Sequence, residues 1–232
     1  MTITTVGLDA DDTLWHNETI FRLTQARFLD LLAEHDTEAV QARLAEVERR
    51  NLRLYGYGVK GFTLSMIETA MEMCDGEPPA GAIREILAAG REMLAHPVET
   101  LPGVDEALAR LSERYRLVLV TKGDLMDQER KLAASGLGDL FAAVEIVSEK
   151  DRTTYERVFA RHGTGPGEAV MAGNSMKSDV LPALEAGAFA VHIPYAITWA
   201  HELADAPEAH PRYGALDSIN DLPDWIDRRS DG

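Results

Sequence analysis

Cysteine is almost missing from this chain: Cys74 is the only one among 232 residues. One thiol cannot form an intrachain disulfide or build a cysteine-rich zinc site. Its neighbours Met66 to Met73 have a helical look, so it reads as a packed thiol rather than a nucleophile. Positive charge is scarce too. Lysine and arginine number 23 against 39 acidic residues, a formal net charge of −16. Nucleic acid and anionic membranes both demand a basic footprint, so neither is expected as a partner. A small anionic substrate stays open, because a metal and a few lysines reverse the sign locally. No apolar run reaches the roughly 18 residues of a membrane span. Nor does a basic region followed by an apolar one open the chain. These absences lead us to expect a cytoplasmic protein. Its 45% hydrophobic and 27% charged content is that of an ordinary globular chain, long enough for one large domain or one domain with an insertion. A homodimer is left open.

What is present changes character along the chain. A short apolar run, Ile3 to Leu8, predicts a buried strand. A long stretch with helical period follows: an apolar stripe at Phe21, Phe28, Leu31 and Leu32, then Ala39 to Leu54, Phe62 to Cys74 and Ala80 to Leu94. Tyr55 to Gly61 interrupts it as a glycine-rich loop. Leu101-Pro102-Gly103 opens a new helix through Tyr115. From there apolar strands at Leu117–Val120, Val144–Val147, Ala169–Ala172 and Ala188–Ile193 alternate with helices at 124–135, 153–162 and 177–186. Leu216 and Ile219 predict a last short strand before Trp225. Such alternation means βαβ units around a parallel sheet. The expected fold is α/β, a Rossmann-like three-layer α/β/α core with an all-helical insertion after the first strand. The expected boundaries are 1–15 and 97–232 for the core and 16–96 for the insertion.

The first strand ends in Asp9-Ala10-Asp11-Asp12-Thr13. Asp9 and Asp11 would point to the same side as the chain leaves the sheet. Carboxylates forced together repel unless a cation sits between them. Such a cluster holds a metal, shares a proton or attacks something, or else it is an acidic turn or helix cap. The other strand ends also carry chemistry, where ligands bind in sheets of this type. They are Thr121-Lys122-Gly123-Asp124, Ser148-Glu149-Lys150, and Gly173-Asn174 running to Asp179. A phosphate monoester would find all its needs among them. Asp9 can be a nucleophile through an aspartyl-phosphate, and Asp11 can protonate the leaving alcohol and then deprotonate water. Magnesium suits an oxygen-only site. Thr121 with the amides of Lys122 and Gly123 can bind the anion near a helix start. Lys150 is a compact cation for both Asp9 and the phosphate.

In this order the motifs resemble those of the haloacid dehalogenase-like hydrolase superfamily. Asp9-x-Asp11-x-Thr13 matches its first motif, Thr121 its second, Lys150 its third, and Gly173-Asn174 with Asp179 its fourth. The resemblance implies a helical type-one cap in the insertion, Asp9 as nucleophile and Asp11 as acid/base. It also implies magnesium bound by the Asp9 side chain, the Asp11 carbonyl and the fourth motif, Asn174 and Asp179. Two departures stand out. The fourth motif usually begins Gly-Asp, and Asn174 removes one negative charge, so Asp179 gains weight, directly or through water. Lys122 stands where asparagine is common, either near the phosphate pocket or facing solvent.

Further candidates are weaker. In the cap loop, Tyr57 and Lys60, with Tyr55, could meet substrate or simply pack. Asp12 reads as a cap of the first turn after the strand or as a residue supporting the site from behind, Thr13 as a hydrogen-bonding support, and His192 as a satisfied core histidine. Trp15 and His16 sit at the hinge, while Trp199, His201 and Glu202 border the site in a loop. The resulting expectation is a magnesium-dependent phosphatase acting on a small phosphorylated substrate. A 2-haloacid dehalogenase using the same aspartate is the nearest rival, although such enzymes lack an acid at the position of Asp11. A phosphomutase, a receiver-like signalling domain and an inactive binding protein are the others.

Overall fold

In a computed structural model, all residues are described except Met1, Thr198, Ala200, His201, Glu208, Asp231 and Gly232. The chain divides into two compact units. One comprises Met1–Glu18, Val98–Lys122 and Gln128–Gly232, the other Thr19–Pro97 and Gly123–Asp127. Beside the expected boundaries, the first division falls three residues later. Gly123–Asp127, expected in the core, groups with the helical unit.

The first unit is built on a six-stranded, wholly parallel sheet. Its strands are β1 (Thr5–Leu8), β2 (Arg116–Lys122), β3 (Ala143–Val147), β4 (Ala169–Gly173), β5 (Phe189–His192) and β6 (Tyr213–Ala215). They are ordered β3-β2-β1-β4-β5-β6. β1 pairs with β2 on one side and β4 on the other, so the chain order reverses at β1, where α/β sheets bind ligands at their carboxyl edge.

The near-continuous apolar runs have the cause expected for a sheet covered on both faces. Along β2, Leu117 and Leu119 join a core with Val104, Leu108 and Leu111 of α5 (Val104–Ser112) and Trp225 and Ile226 of α9 (Leu222–Ser230). Val118 and Val120 point the other way, to Tyr155, Val158 and Phe159 of α7 (Arg152–His162) and Ala183 of α8 (Leu181–Glu185). The period of two in a strand makes one run serve two cores. The expected last strand at Leu216 and Ile219 is displaced: β6 ends at Ala215, and Ile219 lies in a short 3₁₀ turn before α9. The helix expected over 177–186 begins as one wide π-turn, Met176–Val180, before α8.

The second unit holds α1 (Glu18–Leu31), α2 (Thr37–Tyr55), α3 (Val59–Met73) and α4 (Ala82–Ala95). Asp36 caps α2 by accepting from the Ala39 amide at 2.8 Å, satisfying a donor that the helix leaves open. Phe28, Leu32, Val40, Leu44, Val59, Phe62, Met66, Ile86 and Met93 form its core. Helical spacing of these residues turns an apolar stripe of each helix toward this core. Tyr55 closes α2 rather than opening a loop, and Lys60 lies in the first turn of α3, paired with Asp124 at 2.9 Å.

Gly90 of α4 lies against Thr63 of α3, where a Cβ would overlap the Thr63 hydroxyl. Alanine gains about 1 kcal/mol of helix propensity, but overpacking costs about 1–3 kcal/mol. Gly90→Ala should therefore lower the urea midpoint, and a raised midpoint would show that these helices separate freely.

Candidate active site

β1 stops at Leu8, and the Asp9 amide still donates to Ala172 of β4 at 3.0 Å. This extra bond carries Asp9 to the carboxyl edge of the sheet before the chain turns. The turn closes when the amides of Thr13 and Leu14 donate back to the Ala10 carbonyl, at 3.2 and 2.8 Å. Asp12 takes a positive φ of 62°, tolerated by aspartate more than by most residues. Its carboxylate accepts from the amides of Asn17 and Glu18 at 2.8 and 3.0 Å. Asp12 is thus a cap for the start of α1. Burial pushes its carboxyl up to about 7, against the hydrogen bonds from Glu18 and Asn17.

Lys150 stands just before α7 and is buried between two aspartates. It pairs with Asp9 Oδ1, and with Asp179 Oδ1 at 2.7 Å. Burial lowers an ammonium, yet Asp179 and Asp9 outweigh it and hold Lys150 above the usual lysine range. Burial and then Asp179 push the Asp9 carboxyl up to about 7, and Lys150 pulls the other way. Asp179 is engaged on both oxygens, because its Oδ2 accepts the Ser175 amide at 2.9 Å. These bonds let Asp179 order Lys150 and the fourth strand end. Gly173 is required there, since a Cβ would strike the Asp179 carboxylate.

Thr13 Oγ1 donates to Asp9 Oδ2 at 3.1 Å and accepts the Asn174 amide at 3.0 Å, tying the first strand end to the fourth. One terminal atom of the Asn174 side chain stands 3.2 Å from Asp9 Oδ2 and 3.3 Å from the Asp11 carbonyl. With nitrogen there, it donates to both. With oxygen there, a carboxylate, a carbonyl and an amide oxygen converge, a donor set suited to a hard cation such as magnesium. Among the described residues, no trio of histidine, cysteine or acidic side chains forms a cage. The set therefore depends on a main-chain oxygen and an amide.

Asp11 is held by three side chains. Its carboxylate accepts from Trp15 Nε1 and Lys131 Nζ, both at 2.7 Å, and from Gln128 Nε2 at 2.8 Å. Gln128 and Lys131, on α6 (Leu125–Ser135), were not singled out from sequence. The available signal was a polar pair three residues apart on a helix leaving a strand end.

Thr121 is buried at the end of β2, its hydroxyl making only a long bond of 3.3 Å to the Lys122 carbonyl. Lys122 does not face solvent. It donates to Ser178 Oγ at 2.8 Å and pairs with Glu202 at 2.6 Å. Glu202 also receives the hydroxyls of Ser175 and Ser178. Burial would raise its carboxyl, but Lys122 and these hydrogen bonds hold it down to about 2. Gly123 groups with the helical unit, as do Tyr57 and Lys60. His192 meets the Asn174 carbonyl at 3.0 Å, and His16 meets Tyr195 Oη at 2.6 Å. His201 lies outside the described residues.

A family model for haloacid dehalogenase-like hydrolases matches residues 3–187. The chain belongs to this family. A haloacid dehalogenase-like family hydrolase from Xanthomonas campestris is 42% identical over 99% of this chain and 93% of that one, with a TM-score of 0.89. Two more distant structures share the fold. The HAD-hydrolase YfnB from Bacillus subtilis, bound to magnesium, is 15% identical over 97% and 99% of the chains, with a TM-score of 0.68. L-2-haloacid dehalogenase from Xanthobacter autotrophicus, with chloropropionic acid covalently bound, is 14% identical over 97% and 99%, with a TM-score of 0.65. No curated protein matches the chain.

In this haloacid dehalogenase-like hydrolase, the depressed Glu202 carboxyl stabilises the fold at neutral pH. The contribution is complete above the ordinary 4.5 and is lost as pH falls toward 2. A shift of that size is worth on the order of 3 kcal/mol. Glu202→Gln should therefore unfold at lower urea than the parent at pH 7, and the gap should narrow between pH 5 and 3. A gap independent of pH would show that the charge is immaterial.

Proposed function

We propose that this hydrolase is a magnesium-dependent phosphatase of small organic phosphate monoesters. The observation that carries the reading is Asp11, a second carboxylate two residues beyond the nucleophile and 23% exposed at its side chain. An alcohol leaving from phosphorus needs a proton donor, whereas a leaving halide does not. Asp9 attacks phosphorus, and the bond to the ester oxygen breaks as Asp11 protonates that oxygen. Asp11 then takes a proton from water, whose oxygen attacks the aspartyl-phosphate. Inorganic phosphate leaves, and Asp9 is restored.

Lys150 sets a positive charge against Asp9 and the phosphoryl oxygens. The Thr121 hydroxyl and the Lys122 amide are donors for the same oxygens. Asp9, the Asp11 carbonyl and Asn174 would hold magnesium. When bound, it supplies the charge that screens the nucleophile from its anionic target.

Asp9→Asn should abolish hydrolysis of para-nitrophenyl phosphate while far-ultraviolet circular dichroism stays unchanged; substantial turnover would end this mechanism. A wider screen, of phosphate esters and haloacids with magnesium or with chelator, separates the two family chemistries. Release of phosphate dependent on magnesium is expected, and halide release unaffected by chelator would make the protein a dehalogenase. By calorimetric titration, Asn174→Asp should bind magnesium as tightly as the parent or more so, since it restores a negative charge at an oxygen site. Weaker binding would remove Asn174 from the ligand set.

A further inference from the structure

Two side chains of α6 reach Asp11 although neither belongs to a strand end. Lys131 Nζ donates to Asp11 Oδ1 at 2.7 Å and to Asn17 Oδ1 at 2.9 Å. Gln128 Nε2 donates to Asp11 Oδ2 at 2.8 Å and to the Lys122 carbonyl at 2.9 Å. Both residues are more than nine-tenths buried, at 8% and 3% exposure. The third donor, the Trp15 indole, also uses Oδ1.

A carboxylate has about four lone-pair positions. Trp15 and Lys131 fill both on Oδ1, while Gln128 fills one on Oδ2. The carboxylate is therefore fixed in rotation, and Oδ2 alone has room to hold or receive a proton. This arrangement is costly as mere packing. Removing an ammonium from water costs several kcal/mol. Gln128 Oε1 is buried without a hydrogen-bond partner, a further cost of about 1–3 kcal/mol. Apolar residues on this face of α6 would avoid both costs but would leave Asp11 without two of its three donors, so the two polar residues serve that carboxylate.

We infer that Lys131 and Gln128 are positioning residues for proton transfer, locking Asp11 so that Oδ2 exchanges the proton with the leaving-group oxygen. The inference rests on the phosphatase reading above. Through the Lys122 carbonyl, Gln128 also ties the acid/base to the end of β2 that carries Thr121.

The test is the ratio of kcat on butyl phosphate to kcat on dinitrophenyl phosphate. An alkoxide needs protonation to leave, and dinitrophenolate does not. General acid catalysis is worth about 100-fold or more, so Asp11→Asn should depress the ratio by that order. Lys131→Met and Gln128→Leu should each depress it by about 10-fold, a fraction of that effect, and Lys131→Arg should recover part of the loss. Should Lys131→Met fail to fold, Gln128→Leu carries the same test. If these variants slow both esters equally while Asp11→Asn lowers the ratio, positioning is overturned and the phosphatase reading stands. A parent inactive on both esters overturns the reading and this inference together.

Discussion

The buried trio of Lys150, Asp9 and Asp179 is the constraint around which the site is arranged. Two carboxylates and one ammonium, all nearly inaccessible, leave a formal surplus of one negative charge in a low-dielectric setting. Breaking such a pair by removing one partner typically costs 3–5 kcal/mol, because the remaining charge stays buried. Burial and Asp179 push the Asp9 carboxyl upward, so nearby positive charge favours its ionised form. Lys150 supplies part of it. A cation among Asp9, the Asp11 carbonyl and the Asn174 side-chain oxygen would supply the remainder.

The rest of the site keeps that trio in register. Thr13 joins the first strand end to the fourth. Gly173 admits the Asp179 carboxylate against the backbone. Tyr155, wholly buried on α7, donates to the Ser178 carbonyl at 2.9 Å and braces the π-turn that carries Asp179. Lys122, Ser175, Ser178 and Glu202 form a second charged knot beside it. Each knot pairs its charges locally, so a strongly acidic protein can gather carboxylates at one sheet edge without forcing them apart.

Much of this was legible in the chain. Apolar runs of four to six residues alternating with helical segments sufficed for the parallel sheet, and polar residues at four run ends marked the carboxyl edge. The misreadings have different causes. Near Ile219 an apolar residue packs onto the core from a 3₁₀ turn, and burial alone does not distinguish a turn from a strand. Lys60 read as a loop residue because glycines surround it, yet α3 begins at Val59 and gives it Asp124 as a partner. The Lys122 ammonium read as facing solvent or the phosphate pocket because its partner, Glu202, is 80 residues away.

By itself the sequence determined the fold class, the family and the identity of the acidic residues at the first strand end, since these follow from local period and motif spacing. Tertiary structure alone decided what each acid touches. It made Asp179 a partner for Lys150 and a backbone amide, Asp11 a carboxylate held by Trp15, Gln128 and Lys131, and gave Asp12, already read as a cap, the amides of Asn17 and Glu18. Hydrogen bonds act over about 3 Å in space, and in this sheet the partners that define a carboxylate lie as far as 141 residues apart in the chain.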